Sequence, residues 1–313
     1  MTAEADAGQA RAGAVAPGAP PAHDHSLPAP PVRTGRDQPA GGPSAVSLTS
    51  VGAGYDGRVA VEDVTLDIAT GSLTAILGPN GGGKTTLLKI VAGLLRPWRG
   101  TVLVLGGPPG REAHRVAYVP QAELVDWGFP VSVWDVVMMG RYPGLGPFRR
   151  PGSHDRDRVR DALTQVGMGD RAQTQIGALS GGQRRRAFLA RALAADPDLY
   201  LLDEPVTGVD VTTQEDLMAV LGAEAGRGKT VVATTHDLAA AAHHFERLIA
   251  VNRRIVADGN PDQVLASDVL AEIYGGHLIT IGDKTVLLDD AHHHDSEAPG
   301  EPAHHHDPEG PRR

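Results

Sequence analysis

Cysteine is absent from the 313-residue chain. A disulfide framework and a thiolate metal site are thereby excluded, in keeping with a reducing compartment. No stretch approaches the roughly 18 consecutive apolar residues of a membrane-spanning helix, because Gly, Pro or charge breaks every candidate. Any service to a membrane therefore goes through a partner. The opening MTAEADAGQARAG lacks the basic start and apolar run of a secretory signal, which argues against export. A basic excess is also missing. Of the formal charge of −9, the first 45 residues hold three basic and four acidic groups and the last 23 hold two and five, so the body carries −5. Such a body offers nothing to a nucleic-acid backbone, and no nucleic-acid partner is expected.

What is present is a globular body between two biased ends. Apolar residues make up 41% of the chain, enough for a substantial core. Residues 1–45 contain eight Pro and six Gly among Ala and polar residues and read as a disordered leader, with little apolar surface to offset ordering entropy. Residues 291–313 hold two His triplets, His292–His294 and His304–His306, among acids and Pro, and read as a disordered tail. The folded body is expected over residues 46–290, without internal repeats.

Within it, Val46–Val51, Val59–Ile68 and Thr101–Leu105 have the pattern of strands in a mostly antiparallel sheet. From Ser72–Leu77 onward, strands alternate with helices: a helix over Lys84–Leu95 stopped by Pro97, then strands over Leu199–Asp203 and Thr230–Thr235. That alternation predicts an α/β fold with a parallel, doubly wound core. Between Pro120 and Ala178 helical segments such as Asp155–Val166 replace the strand signal, which marks a helical insertion at about residues 122–178.

The run Gly78, Pro79, Asn80, Gly81, Gly82, Gly83, Lys84, Thr85, Thr86 follows a strand and opens a helix, the context that GxxxxGK[ST] requires. Glycines let the backbone wrap a phosphate with its N–H groups, and the positive end of the helix faces the same anion. Lys84 supplies a mobile charge for β and γ phosphates, and the Thr85 hydroxyl is suited to Mg²⁺. A Gly-rich turn without function would not need this lysine in this frame. Farther on, Leu199–Asp203 is an apolar strand ending in the pair Asp203 and Glu204. Asp203 is a hard oxygen ligand for Mg²⁺, and Glu204 a general base for water. Taken alone the pair could also be an acidic turn after a buried strand; beside a phosphate loop that reading falls away.

Leu179, Ser180, Gly181, Gly182 and Gln183 stand 20 residues before that pair, measured from Gln183 to Asp203. Locally, Ser180 is an N-cap for a helix over Gln183–Ala195 that ends before Pro197, and its N-terminus is a second anion site. In this order the motifs resemble the ATP-binding subunits of ABC transporters over residues 46–260. The resemblance implies a P-loop NTPase core of RecA-like type with an antiparallel β subdomain and an α-helical subdomain. It also implies that Tyr55 stacks on adenine, that Gln121 meets Mg²⁺ and the attacking water, that Asp210 lies in an interface loop, and that His236 joins Glu204 in catalysis. Small departures, such as Arg185 where Gln is frequent, remove no functional group.

One phosphate loop and one signature per chain imply a homodimer, in which the signature of one chain meets the ATP of its partner. The family likeness further implies integral membrane permease subunits, a place at the cytoplasmic face of the membrane, and an extracytoplasmic metal-binding protein in the same system. The stretch VDWGFPVSVWDVVMMGRY, residues 125–142, resembles manganese, zinc and iron importers. With Trp134, Tyr142 and Phe148 nearby, its aromatics form a small helical core or, at the surface, a seat for the permease. Imidazoles in the tail agree with zinc-like metals, although a tail lacks fixed geometry. Import of Mn²⁺ or Zn²⁺ is the leading expectation. The alternatives are a siderophore, haem or cobalamin importer, which shares a pair like Gly140-Arg141, and a soluble ABC ATPase outside transport.

Overall fold

In a computed structural model, residues 33–34, 43–121, 130–145, 149–274, 278–281 and 284–287 of the protein are described. The leader apart from residues 33–34 and 43–45, segment 122–129 with Trp127 and Phe129, residue Phe148 and the His-rich tail lie outside them. The strands are β1 (Arg33–Thr34), β2 (Ser44–Tyr55), β3 (Arg58–Ala69), β4 (Leu73–Leu77), β5 (Arg99–Val104), β6 (Val116–Val119), β7 (Leu199–Asp203), β8 (Thr230–Thr234), β9 (Arg247–Asn252), β10 (Arg254–Gly259), β11 (Leu278–Ile281) and β12 (Lys284–Leu287). The helices are α1 (Lys84–Val91), α2 (Val133–Met138), α3 (Tyr142–Leu145), α4 (Ser153–Gln165), α5 (Gly181–Ala195), α6 (Val211–Gly226), α7 (Leu238–His244), α8 (Pro261–Val264) and α9 (Ser267–Tyr274).

Strands β3, β2 and β5 form an antiparallel sheet in that order. Alternation makes it one-faced: Val64, Leu66 and Ile68 are buried while Thr65 and Asp67 between them are exposed. Asp56 and Gly57, both at positive φ (48° and 77°), join β2 to β3, the Asp-Gly chemistry of a two-residue hairpin. A seven-stranded sheet runs β1-β10-β9-β4-β8-β7-β6, parallel except at the β9–β10 pair.

Strands β7 and β8 are buried along their full length, and most of β4 is buried, so they read as continuous apolar runs instead of alternating ones. Successive residues feed two cores. Ile76, Leu201, Val232 and Ile249 pack with α1 against the antiparallel sheet, whereas Leu77, Tyr200, Leu202 and Ala233 pack against α5, α6 and the helical region. Helices α2 and α4 pack on α5, and the expected helical insertion contains no strand among its described residues. This layering puts the carboxyl ends of β4, β8, β7 and β6, four adjacent strands, along one edge, where ligands of open parallel sheets bind.

Candidate functional site

The phosphate loop leaves the end of β4 and runs into α1. Gly78 (φ 149°) has its backbone so close to Val251 that an added Cβ would lie 2.0 Å from the Val251 carbonyl oxygen. Gly83, at φ 101°, is the N-cap of α1 and offers no side-chain cap, so the first amides of the helix are left for an anion. The Lys84 ammonium donates to the carbonyls of Gly78 (2.7 Å) and Pro79 (3.0 Å). Burial pushes its pKa down, and the carboxylates of Glu204 and Asp203 oppose that shift. Thr86 is buried and Thr85 half-buried at the same turn.

The two carboxylates are held from β8. The Thr234 hydroxyl donates to Asp203 Oδ1 at 2.7 Å and accepts the Glu204 amide at 3.0 Å. Asp203 Oδ2 is buried with no hydrogen-bond partner, an orphaned hard oxygen suited to a divalent cation. Glu204 sits at φ 51°, a left-handed conformation that non-glycine residues adopt at a cost, and this turns the chain at the strand end. Its Oε1 lies 3.6 Å from Nδ1 of His236, which follows β8. The cavity beside them is lined by Val119, Pro120, Arg185, Asp203, Glu204 and Pro205 among others. Gln121 emerges half-buried from the end of β6.

Tyr55, at the end of β2, is 43% exposed, and the Lys89 ammonium stands 5.7 Å from the centre of its ring. The signature run lies elsewhere. Leu179 is buried, and Ser180 caps α5 in a reciprocal box, with Gln183 N–H to Ser180 Oγ at 3.3 Å and Ser180 N–H to Gln183 Oε1 at 3.0 Å. Gly181 is exposed and Gly182 faces Val209. Asp210 caps α6 by accepting from the Thr213 amide (3.0 Å) and hydroxyl (2.8 Å), and the Thr213 amide lowers its pKa. Among the described residues no hydrogen bond or ion pair joins residues 179–183 to the phosphate loop of the same chain.

The structure thus brings Lys84, Asp203, Glu204 and His236 together, and among the described residues no hydrogen bond or ion pair ties the signature to them. Sequence reasoning passed over Thr234, whose only signal was its place at the end of an apolar strand before His236. Val251, whose carbonyl packs against Gly78 and Gly82, and Arg253, whose amide donates to the Gly82 carbonyl at 2.8 Å, support the loop through backbone atoms that carry no sequence signature.

Residues 61–207 match the ABC transporter family model. Over 234 residues the chain is 44% identical to the zinc transport system ATP-binding protein TroB of Treponema pallidum, covering 75% of this chain and 88% of that protein. The chain belongs to the ABC transporter ATP-binding subunits. It is also 40% identical over 247 residues to the manganese transport system ATP-binding protein MntB of Bacillus subtilis, covering 79% of this chain and 98% of that protein. Among solved structures it resembles a chain of an ABC transporter in an inward-facing conformation, with 31% identity, a TM-score of 0.65 and coverage of 74% and 89%. As an ABC ATPase subunit it binds ATP and hydrolyses it in the service of transport. None of its described helices is long and apolar enough to cross a membrane.

Proposed function

We propose that this chain powers the import of a transition-metal ion, Mn²⁺ or Zn²⁺, through a separate membrane permease, working as a homodimer bound at the cytoplasmic face. The likeness to zinc and manganese transport ATP-binding proteins, which spans most of both chains, carries the cargo assignment. An extracytoplasmic metal-binding protein delivers the ion in this scheme.

The hydrolytic roles fall on the residues gathered at the sheet edge. The loop amides of residues 80–86 cradle the phosphates, and Lys84 leaves the Gly78 and Pro79 carbonyls for the β and γ oxygens, where anionic partners counter the lowering of its pKa by burial. Tyr55 offers an exposed ring to adenine, backed by Lys89. Asp203, Thr85 and Gln121 are the oxygen donors that would hold Mg²⁺, and the unpartnered Asp203 Oδ2 fits that cation. Bound there, Mg²⁺ supplies positive charge against the phosphate oxygens. Glu204 takes the proton of the attacking water as its oxygen bonds to the γ phosphorus and the bond to the bridging oxygen breaks; His236 holds that carboxylate in place. That no hydrogen bond or ion pair joins signature and phosphate loop among the described residues of one chain supports the dimer, in which Leu179 to Gln183 of one chain close over the ATP of the other and Asp210 lines the seam.

Uptake of radioactive Mn²⁺ and Zn²⁺ by a strain lacking this gene, complemented with wild-type or Glu204→Gln chain, tests the assignment. Wild-type chain is expected to restore uptake of one metal and the variant to restore none. Unchanged metal uptake in the deletion strain, with loss of another cargo, would overturn it.

A further inference from the structure

The strand that carries Tyr55 is held from both of its faces. Ala53 and Tyr55, two residues apart in β2, share the face toward α1: Ala53 is buried in one core with Leu87, Leu88 and Ile90 of α1, and the Lys89 ammonium stands over the Tyr55 ring. On the opposite face the strand has no side chains, because Gly52 and Gly54 stand there, yet both glycines are buried. The chain entering β5 covers them. The Trp98 amide donates to the Gly52 carbonyl at 2.8 Å, and Arg99 pairs with Gly52 in the sheet. A Cβ added to Gly52 would stand 2.7 Å from Arg99 Nε. One added to Gly54 would collide with the Arg58 carbonyl and stand 2.8 Å from Cη2 of Trp98. The far edge of the indole therefore rests on the backbone of the residue directly before Tyr55.

Glycine inside a strand weakens it and marks the close approach of another group. At Gly54 that group is the Trp98 ring together with the hairpin's own Arg58 carbonyl, so any side chain at this position would push the indole away. Neither aromatic is a core residue: Trp98 is 49% exposed and Tyr55 43%. Tyr55 is the last residue of β2, followed at once by the turn at Asp56 and Gly57, so what fixes the strand end also fixes the direction of its ring. We propose that Trp98 is a positioning residue for the adenine platform: seated against Gly54, it holds the end of β2 so that Tyr55 presents its ring to the base, and it thereby contributes to the preference for an adenine nucleotide over a bare triphosphate. This rests on the reading of Tyr55 as the residue that stacks on adenine.

The test measures, by calorimetry on the full chain with Mg²⁺, binding of a non-hydrolysable ATP analogue and of inorganic tripolyphosphate, which engages the phosphate loop without a base. Trp98→Ala is expected to weaken binding of the analogue about three- to tenfold, the range of one aromatic contact, and to leave tripolyphosphate binding unchanged. Trp98→Phe, whose ring ends short of Gly54, should fall between it and wild type. Gly54→Ala, which displaces the indole from the other side, should give the same split between the two ligands. Tyr55→Ala serves as the control and should show the larger split. Equal losses for both ligands in Trp98→Ala, or no loss for either, would overturn the positioning role while a split in Tyr55→Ala keeps the platform. Binding of the analogue by Tyr55→Ala as tightly as by wild type would overturn the platform reading itself, and the proposal with it.

Discussion

Thr234 shows how much one side chain can organise. Its hydroxyl serves Asp203 as donor and the Glu204 amide as acceptor, so two groups with different tasks are aligned from a neighbouring strand. Thr234→Val keeps the shape and removes both bonds. It should cost about 1–3 kcal/mol of stability, because a buried carboxylate oxygen and an amide lose their partner, and should lower ATP turnover along with it; thermal melting and a phosphate-release assay measure the two. Glu204→Gln removes the proton acceptor alone, so turnover should fall by about 10² to 10⁴ fold with ATP binding intact. Turnover near the wild-type rate in that variant would remove Glu204 from the base role.

At the scale of elements, α5 is held at both ends. Its N-terminus carries the Ser180 box, and its last carbonyls, Ala194 (2.8 Å) and Ala195 (3.4 Å), accept from Arg141, which also pairs with Asp155 at the start of α4 (3.0 Å). The Gly152 amide and then Arg141 hold the Asp155 pKa below its ordinary value. A lowered carboxylate pKa means stability that is present above the ordinary carboxylate range and is lost as pH falls through the folded-state value. Asp155→Asn should therefore melt below wild type at neutral pH, and the difference should close in acid, below that ordinary range; melts across pH check this. Much of this level is legible in the sequence. Ser180 and Pro197 bracket α5, and the strand over Leu199–Asp203 lies where its apolar run lies. The helix after Lys84 ends at Val91, earlier than Pro97 alone indicates, because Gly93 (φ 77°) already turns the chain. Strands β6 and β9 were not singled out, being defined by parallel partners far away in the chain, β7 and β4. The loop brace from Arg253 was invisible for the same reason: backbone contacts leave no mark on residue type.

For the whole molecule, the lack of any hydrogen bond or ion pair between signature and phosphate loop among the described residues of one chain has a measurable counterpart. With ATP and Mg²⁺, the Glu204→Gln chain should sediment as a dimer, and wild type should return to monomer as ATP is consumed; adding Ser180→Arg, which places bulk and charge at the α5 cap, should keep the first variant monomeric. A monomer under all conditions would remove the shared-site scheme. The strand order has a further consequence for synthesis. Strand β4, residues 73–77, finds its neighbours only in β8 and β9, residues 230–234 and 247–252. The loop that follows it leaves the ribosome early, yet its supporting strands arrive more than 150 residues later, so long-range pairing has to wait. A nascent chain stopped before residue 230 should be unable to hold nucleotide, and its apolar β4 segment is the surface a chaperone would have to cover during that interval.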